Sequence, residues 1–103
     1  MVGIAIDREK IAGFCRKWKV VELSLFGSVL SDDFGPESDV DVLVSFSPEA
    51  GWSLFDLGEM AEELKELLGR EVDLVEREAV EKSENYIRRR HILSSVEKIY
   101  VAG

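Results

Sequence analysis

Hydrophobic residues recur at helical spacing in two parts of this chain. Near the N-terminus, Ile11, Phe14, Cys15 and Trp18 lie at positions i, i+3, i+4 and i+7, which is typical of one buried stripe of a helix. A longer stripe comprises Leu57, Met60, Ala61, Leu64, Leu67 and Leu68. With capping residues included, the sequence predicts helices from Asp7 to about Lys19, from Ser53 to Gly69 and from Ser83 to about Leu93.

Four apolar runs rich in valine, leucine and isoleucine predict strands over residues 20–26, 38–46, 71–76 and 96–101. We expect Val21, Leu23 and Leu25 to share one face of the first strand, and Ile99 and Val101 to point inward from the last. The order of elements predicts an α/β (α+β) fold, with a small mixed sheet and helices covering one face. At 103 residues, the chain is predicted to form a single domain over residues 1–103.

Two carboxylates lie at the beginning of the predicted second strand. Asp39 and Asp41 are two residues apart and therefore point to one face, while Val40, Val42, Val44 and Phe46 point to the other. Burial of the apolar face fixes this register. Neighbouring carboxylates repel each other unless a cation lies between them, and Mg²⁺ binds through one or two carboxylates together with substrate phosphates.

Gly27 and Ser28 end the first strand, and ten residues separate Ser28 from Asp39. A glycine allows a sharp backbone turn and close approach of a ligand. Ser28 is predicted to begin a short helical turn, where free N–H groups favour an anion such as a phosphate. The alternatives are a simple turn at Gly27 and Ser28, and a strand whose carboxylates lie in water.

Composition narrows the function classes further. The 13 basic and 21 acidic residues give a net charge of −8, which argues against a protein that binds nucleic acid directly. A nucleotide remains compatible with this charge, because bound metal can supply positive charge locally. The single cysteine, Cys15, excludes an internal disulfide and fits a reducing cytoplasm. No apolar run is long enough for a membrane span, and no signal-peptide pattern is present, so we expect a cytoplasmic protein.

Gly27-Ser28, ten residues, Asp39-Val40-Asp41 and an apolar strand resemble the signature of the DNA polymerase β-like nucleotidyltransferase superfamily. In its short length the chain resembles the minimal nucleotidyltransferase (MNT) antitoxins, which are partners of HEPN-domain ribonuclease toxins. The resemblance implies a third carboxylate on a later strand, which Asp73 matches. Many relatives carry an arginine where this chain has Ser31, and this difference bears on catalytic strength.

The resemblance implies an enzyme in which Asp39, Asp41 and Asp73 are catalytic and bind two Mg²⁺ ions, while Gly27 and Ser28 bind the nucleotide. ATP would be the substrate, and AMP would be transferred to a tyrosine of a HEPN toxin, which this neutralises. An alternative is an inactive antitoxin that neutralises the toxin by binding alone. A third reading, transfer to a small molecule as in aminoglycoside nucleotidyltransferases, ranks last because the chain has no added drug-binding domain.

Overall fold

A computed structural model describes residues 6–30, 35 and 38–102 of the chain. Its centre is a four-stranded sheet in the order β3-β2-β1-β4. The strands are β1 (Val20–Phe26), β2 (Val40–Phe46), β3 (Val72–Glu76) and β4 (Val96–Val101). Strand β1 is antiparallel to both β2 and β4, whereas β2 and β3 are parallel. The predicted α/β class with a small mixed sheet is therefore confirmed.

The helices are α1 (Arg8–Lys17), α2 (Leu54–Leu68), α3 (Arg77–Glu81) and α4 (Tyr86–Ser94). A 3₁₀ turn at Gly27–Leu30 follows β1 directly, as the sequence predicts. The parallel pair β2 and β3 needs a crossover connection, and α2 supplies it. This connection places the N-terminal ends of β2 and β3 side by side, at the same end of the sheet as the 3₁₀ turn.

Helices α1 and α2 pack on one face of the sheet and bury the main core. Trp18 joins the two helices, because its indole Nε1 donates to Glu63 Oε2 at 2.8 Å and its carbonyl accepts from Trp52 Nε1 at 2.7 Å. Burial raises the pKa of the Cys15 thiol to about 12, which keeps it protonated and fits its predicted role as a core residue. The core comprises Ile11, Phe14, Cys15, Trp18, Val20, Leu23, Leu25, Val29, Val40, Val42, Val44, Met60, Leu64, Leu68 and Ile99.

Helix α2 is held at both ends by the caps that the sequence predicts. The Ser53 hydroxyl accepts from the Asp56 backbone N–H, and the Asp56 carboxylate accepts from the Ser53 backbone N–H at 2.8 Å. At the other end, Gly69 takes a left-handed conformation with φ of +70° and donates to the Lys65 carbonyl at 2.8 Å. The Gly69 cap turns the chain sharply from α2 towards β3.

The capping box of α2 gives a modest stability prediction. Replacing Ser53 with alanine leaves the backbone N–H of Asp56 without its acceptor, so we expect a loss of about 1 kcal/mol. For a domain of this size that loss corresponds to a fall of roughly 4–8 °C in Tm. Ser53→Thr keeps the hydroxyl and should lie close to the wild type. Equal losses for both variants in thermal unfolding would contradict the capping role.

A second and smaller cluster lies on the opposite face of the sheet, which corrects the expectation that helices cover one face. Phe26 and Leu43 pack there against Val80 of α3 and Ile92 of α4. Helix α3 is not predicted from the sequence, because a helix of five residues with one buried side chain has no recognisable period. Helix α4 is capped by Asn85, not by the predicted Ser83.

Two strand residues that the sequence predicts to point towards the core are exposed instead. Val21 is exposed because the register of β1 shifts between Val20 and Glu22, which brings Val20 into the core instead. Val101 is also exposed, because the register of β4 against β1 shifts between Lys98 and Tyr100, whereas Ile99 is buried as predicted.

Candidate active site

Two carboxylates lie side by side where β2 and β3 begin. Asp41 and Asp73 are each the second residue of their strand, and the parallel register pairs them directly. Paired residues of neighbouring strands are about 5 Å apart and point to the same face of the sheet. That face is the one that carries the smaller apolar cluster. The predicted proximity of Asp73 to Asp41 is therefore confirmed by the sheet register.

Asp41 experiences the repulsion that the sequence predicts. Burial, followed by the nearby carboxylates of Asp73 and Asp39, raises the pKa of Asp41 above its ordinary value. Asp39 lies one residue before β2 and is exposed, as is Asp73. Each cause disfavours the ionised form of Asp41, and positive charge at this position would favour it.

The carboxylate chemistry fits a hard cation, although the protein side chains do not form a complete cage. Within residues 6–30, 35 and 38–102, no group of three or more His, Cys, Asp or Glu side chains is arranged to hold a metal ion. Mg²⁺ commonly binds through one or two carboxylates and takes its other ligands from water and substrate phosphates. The pair of Asp41 and Asp73, with Asp39 nearby, fits such a site that substrate completes.

Gly27 brings the 3₁₀ turn against the same carboxylates. Its φ of +76° is a conformation that residues with a side chain rarely adopt. A Cβ atom at Gly27 would overlap Asp41 Oδ2 and lie 3.3 Å from Asp41 Cγ. Only glycine therefore lets the Asp41 carboxylate lie against the backbone of the turn, and Ser28 follows as the next, partly buried residue.

The structure thus brings together Gly27, Asp41 and Asp73, with Ser28 adjoining Gly27 and Asp39 close enough to affect Asp41. Ser31, where many relatives carry an arginine, lies outside the described residues. Arg70 is an additional residue next to the site, because its guanidinium donates to the carbonyl of Ser38 at 2.8 Å. No sequence pattern points to Arg70, since the contact joins positions 32 residues apart.

One cleft lies beside these carboxylates, and a larger cleft lies away from them. A cleft of about 490 Å³ is lined by Asp39, Ser38, Arg70 and neighbouring residues of the loop that joins α2 to β3. A larger one, of about 620 Å³, lies at the opposite end of β2 and is lined by Trp52, Phe46 and Arg77 among others. The larger cleft contains none of the three aspartates, so we place the chemistry by the carboxylates and not by cavity size.

Comparison with known proteins identifies the class to which this site belongs. The profile of the nucleotidyltransferase domain family matches residues 8–100. The chain belongs to this family and is a nucleotidyltransferase.

Two relatives from Methanocaldococcus jannaschii are candidate protein adenylyltransferases by name. One is 40% identical over 68 residues, which span 66% of this chain and 71% of the relative. The other is 34% identical over 64 residues, which span 62% of this chain and 64% of the relative. The chain thus covers about two thirds of the length of these two relatives.

Solved structures share the fold. A minimal nucleotidyltransferase is 29% identical, with a TM-score of 0.65, and 86% of this chain and 85% of that one are covered. A toxin–antitoxin crystallised with AMP-PNP gives a TM-score of 0.70 at 20% identity, with 94% of this chain and 75% of that one covered. The complex of tri-AMPylated Shewanella oneidensis HEPN toxin with an MNT antitoxin gives a TM-score of 0.61 at 21% identity, with 92% of this chain and 70% of that one covered.

Among the described residues, no helix is both long enough and apolar enough to cross a membrane.

Proposed function

We propose that this chain is a Mg²⁺-dependent antitoxin that transfers AMP from ATP to a tyrosine of a cognate HEPN toxin. The pairing of Asp41 with Asp73, against a turn that only glycine allows, carries the proposal. The family supplies the reaction class, and the M. jannaschii relatives support a protein as the acceptor. The HEPN toxin is proposed because the fold also occurs in an antitoxin bound to a tri-AMPylated toxin of that class.

The aspartates have distinct roles in this proposal. Asp39 and Asp41 would hold Mg²⁺ together with phosphate oxygens of ATP, and Asp73 would complete the ligands on the side of the acceptor. The metal would neutralise the charge that develops on the phosphates during in-line displacement. Because the carboxylates repel one another, the site is prepared for positive charge before substrate arrives.

Gly27 and Ser28 would bind the β- and γ-phosphates through backbone N–H groups and the serine hydroxyl. The α-phosphorus would then lie next to Asp41 and Asp73. The acceptor hydroxyl forms the new O–P bond, the bond to pyrophosphate breaks, and Asp73 accepts the proton of the hydroxyl. Most of the rate gain would come from positioning and from stabilisation of charge.

A labelling experiment tests the reaction class directly. The purified chain is mixed with Mg²⁺ and the protein encoded beside it, using ATP labelled at either the α- or the γ-phosphate. AMP transfer places only the α-label on the partner, and a Tyr→Phe series in the partner should identify the acceptor. Label from the γ-phosphate, or no α-label, would contradict the proposal.

A second candidate is neutralisation by contact alone. The net charge of −8 favours this reading, since an acidic surface can cover a basic ribonuclease face, and the described residues hold no complete metal cage. An Asp39→Asn/Asp41→Asn variant separates the two candidates. If that variant still neutralises the toxin fully, contact is sufficient; if it binds the toxin without neutralising it, chemistry is required.

A further inference from the structure

The backbone on both sides of Asp39 is fixed by two consecutive residues of the loop that joins α2 to β3. On the N-terminal side, the guanidinium of Arg70 donates to the carbonyl of Ser38 at 2.8 Å. On the C-terminal side, the backbone N–H of Val40 donates to the carbonyl of Glu71 at 2.8 Å. Asp39 is exposed and directly precedes β2, so these two contacts fix the backbone on either side of it.

Arg70 also donates to a second backbone carbonyl that precedes Asp39. The same Nη2 atom that bonds Ser38 donates to the carbonyl of Gly35. Gly35 and Ser38 are also bonded to each other, since Ser38 N donates to the Gly35 carbonyl at 3.1 Å and Gly35 N donates to Ser38 Oγ at 3.0 Å. A cation that donates to two carbonyls makes stronger bonds than a neutral donor would. Arg70 therefore ties the backbone at Gly35 and Ser38 to the N-terminal end of β3.

The position of Arg70 follows from the end of α2. Gly69 leaves the helix in a left-handed conformation, and Arg70 is the first residue after this change of direction. Its side chain is thereby carried across the N-terminal end of β3 to the carbonyls before β2. The guanidinium is partly buried in these contacts, which distinguishes Arg70 from a fully solvated surface cation.

We propose that Arg70 is a positioning residue of the active site, which keeps the Asp39 carboxylate beside Asp41 by fixing the backbone at Ser38 and Asp39. The inference rests on the proposed function for the metal and nucleotide that Asp39 would help to bind. Residues that orient a metal ligand typically change metal affinity or activity by about 10–100-fold when they are replaced. Arg70 acts on the site through the backbone, without touching the phosphates.

Replacement of Arg70 by methionine keeps most of the apolar stem and removes the donors. We expect the Kd for Mg²⁺·AMP-PNP, measured by calorimetry on the chain alone, to rise about 10-fold. Hydrogen exchange at the amides of Ser38, Asp39 and Val40 should accelerate in the same variant. If Arg70→Met does not fold, Arg70→Lys keeps the charge and a donor, and should show smaller changes in the same direction.

Arg8→Met is the matched control. Arg8 also donates from its guanidinium to one backbone carbonyl, that of Ile99 at 3.2 Å, and it lies on α1. This variant should leave both the Kd and the exchange of the three amides unchanged.

The outcomes distinguish a failure of the proposed role of Arg70 from a failure of the proposed function. An unchanged Kd in Arg70→Met, or a raised Kd with unchanged amide exchange, would overturn the positioning role, and the latter result would indicate direct contact with the nucleotide. Failure of the wild-type chain to bind Mg²⁺·AMP-PNP would contradict the proposed function. In that case faster amide exchange in Arg70→Met would still support the backbone contact, and unchanged exchange would overturn it.

Discussion

An Asp41→Asn variant should lose at least about 100-fold in AMP transfer while its metal-free form becomes more stable than the wild type. The loss of activity follows because asparagine removes a negative charge that would hold Mg²⁺, and loss of the electrostatic stabilisation that the metal gives the phosphates typically costs 10²–10³-fold. The gain in stability follows from the repulsion that Asp73 and Asp39 exert on a partly buried carboxylate. Asparagine has almost the same shape, so packing changes little.

The pH dependence of this gain can be derived from the direction of the pKa shift. The folded-state pKa of Asp41 lies above its ordinary value of 3.8, so the folded chain binds more protons than the unfolded chain in the interval between the two. The free energy of unfolding therefore falls as pH rises through that interval. We expect Asp41→Asn to have the higher Tm at neutral pH, and the difference to shrink below the ordinary Asp value.

Thermal unfolding with and without Mg²⁺·AMP-PNP completes this test. Ligand binding to the folded state should raise the Tm of the wild type and have little effect on Asp41→Asn. Glu97→Gln, which removes an exposed charge on β4, is the control and should follow the wild type in both conditions. A metal-free Asp41→Asn protein that is less stable than the wild type at neutral pH would contradict the electrostatic account.

Gly27→Ala should damage both the fold and the site, whereas Gly69→Ala should damage the fold alone. Both glycines have positive φ, and a side chain in that conformation costs roughly 1–2 kcal/mol. At Gly69 a Cβ atom meets nothing within 4 Å, so this backbone cost is the whole effect. At Gly27 the Cβ atom overlaps Asp41 Oδ2, so the carboxylate or the turn must also move.

We therefore expect Gly27→Ala to lose more stability than Gly69→Ala and to lose AMP transfer at least about 100-fold, since small displacements of reacting groups cost rates of that order. Gly69→Ala should stay within a few-fold of the wild type in transfer. An Asp41→Ala background removes the clash, so the extra stability cost of Gly27→Ala should disappear in a double-mutant cycle. Equal stability losses at both glycines, with transfer retained, would contradict the close contact.

The sequence predicts most elements of this fold because each is encoded locally. Strands β1 and β4 have the predicted bounds, and the caps at Asp7, Ser53 and Gly69 hold the predicted helix ends. The exceptions arise where tertiary packing determines the strand register or the formation of a helix. The register shift after Val20 depends on how β1 pairs with two neighbours, and α3 forms only where Val80 can pack on the sheet.

The candidate site likewise combines features that are encoded locally with contacts that depend on the tertiary structure. The two-residue spacing of Asp39 and Asp41 is local, so their shared face follows from the strand alone. The pairing of Asp41 with Asp73 depends on the parallel register, and the contact of Gly27 with Asp41 depends on a turn conformation. Arg70 could not be found from sequence, because its partners Gly35 and Ser38 come from a different part of the chain.

The intact mass of the protein encoded beside this chain tests the central claim most directly. That protein would be co-expressed with the wild-type chain and, separately, with the Asp39→Asn/Asp41→Asn variant. The account predicts a mass gain of one or more AMP units with the wild-type chain only. An unmodified partner in both cases, with the two proteins still co-purifying, would contradict adenylyl transfer and indicate neutralisation by contact.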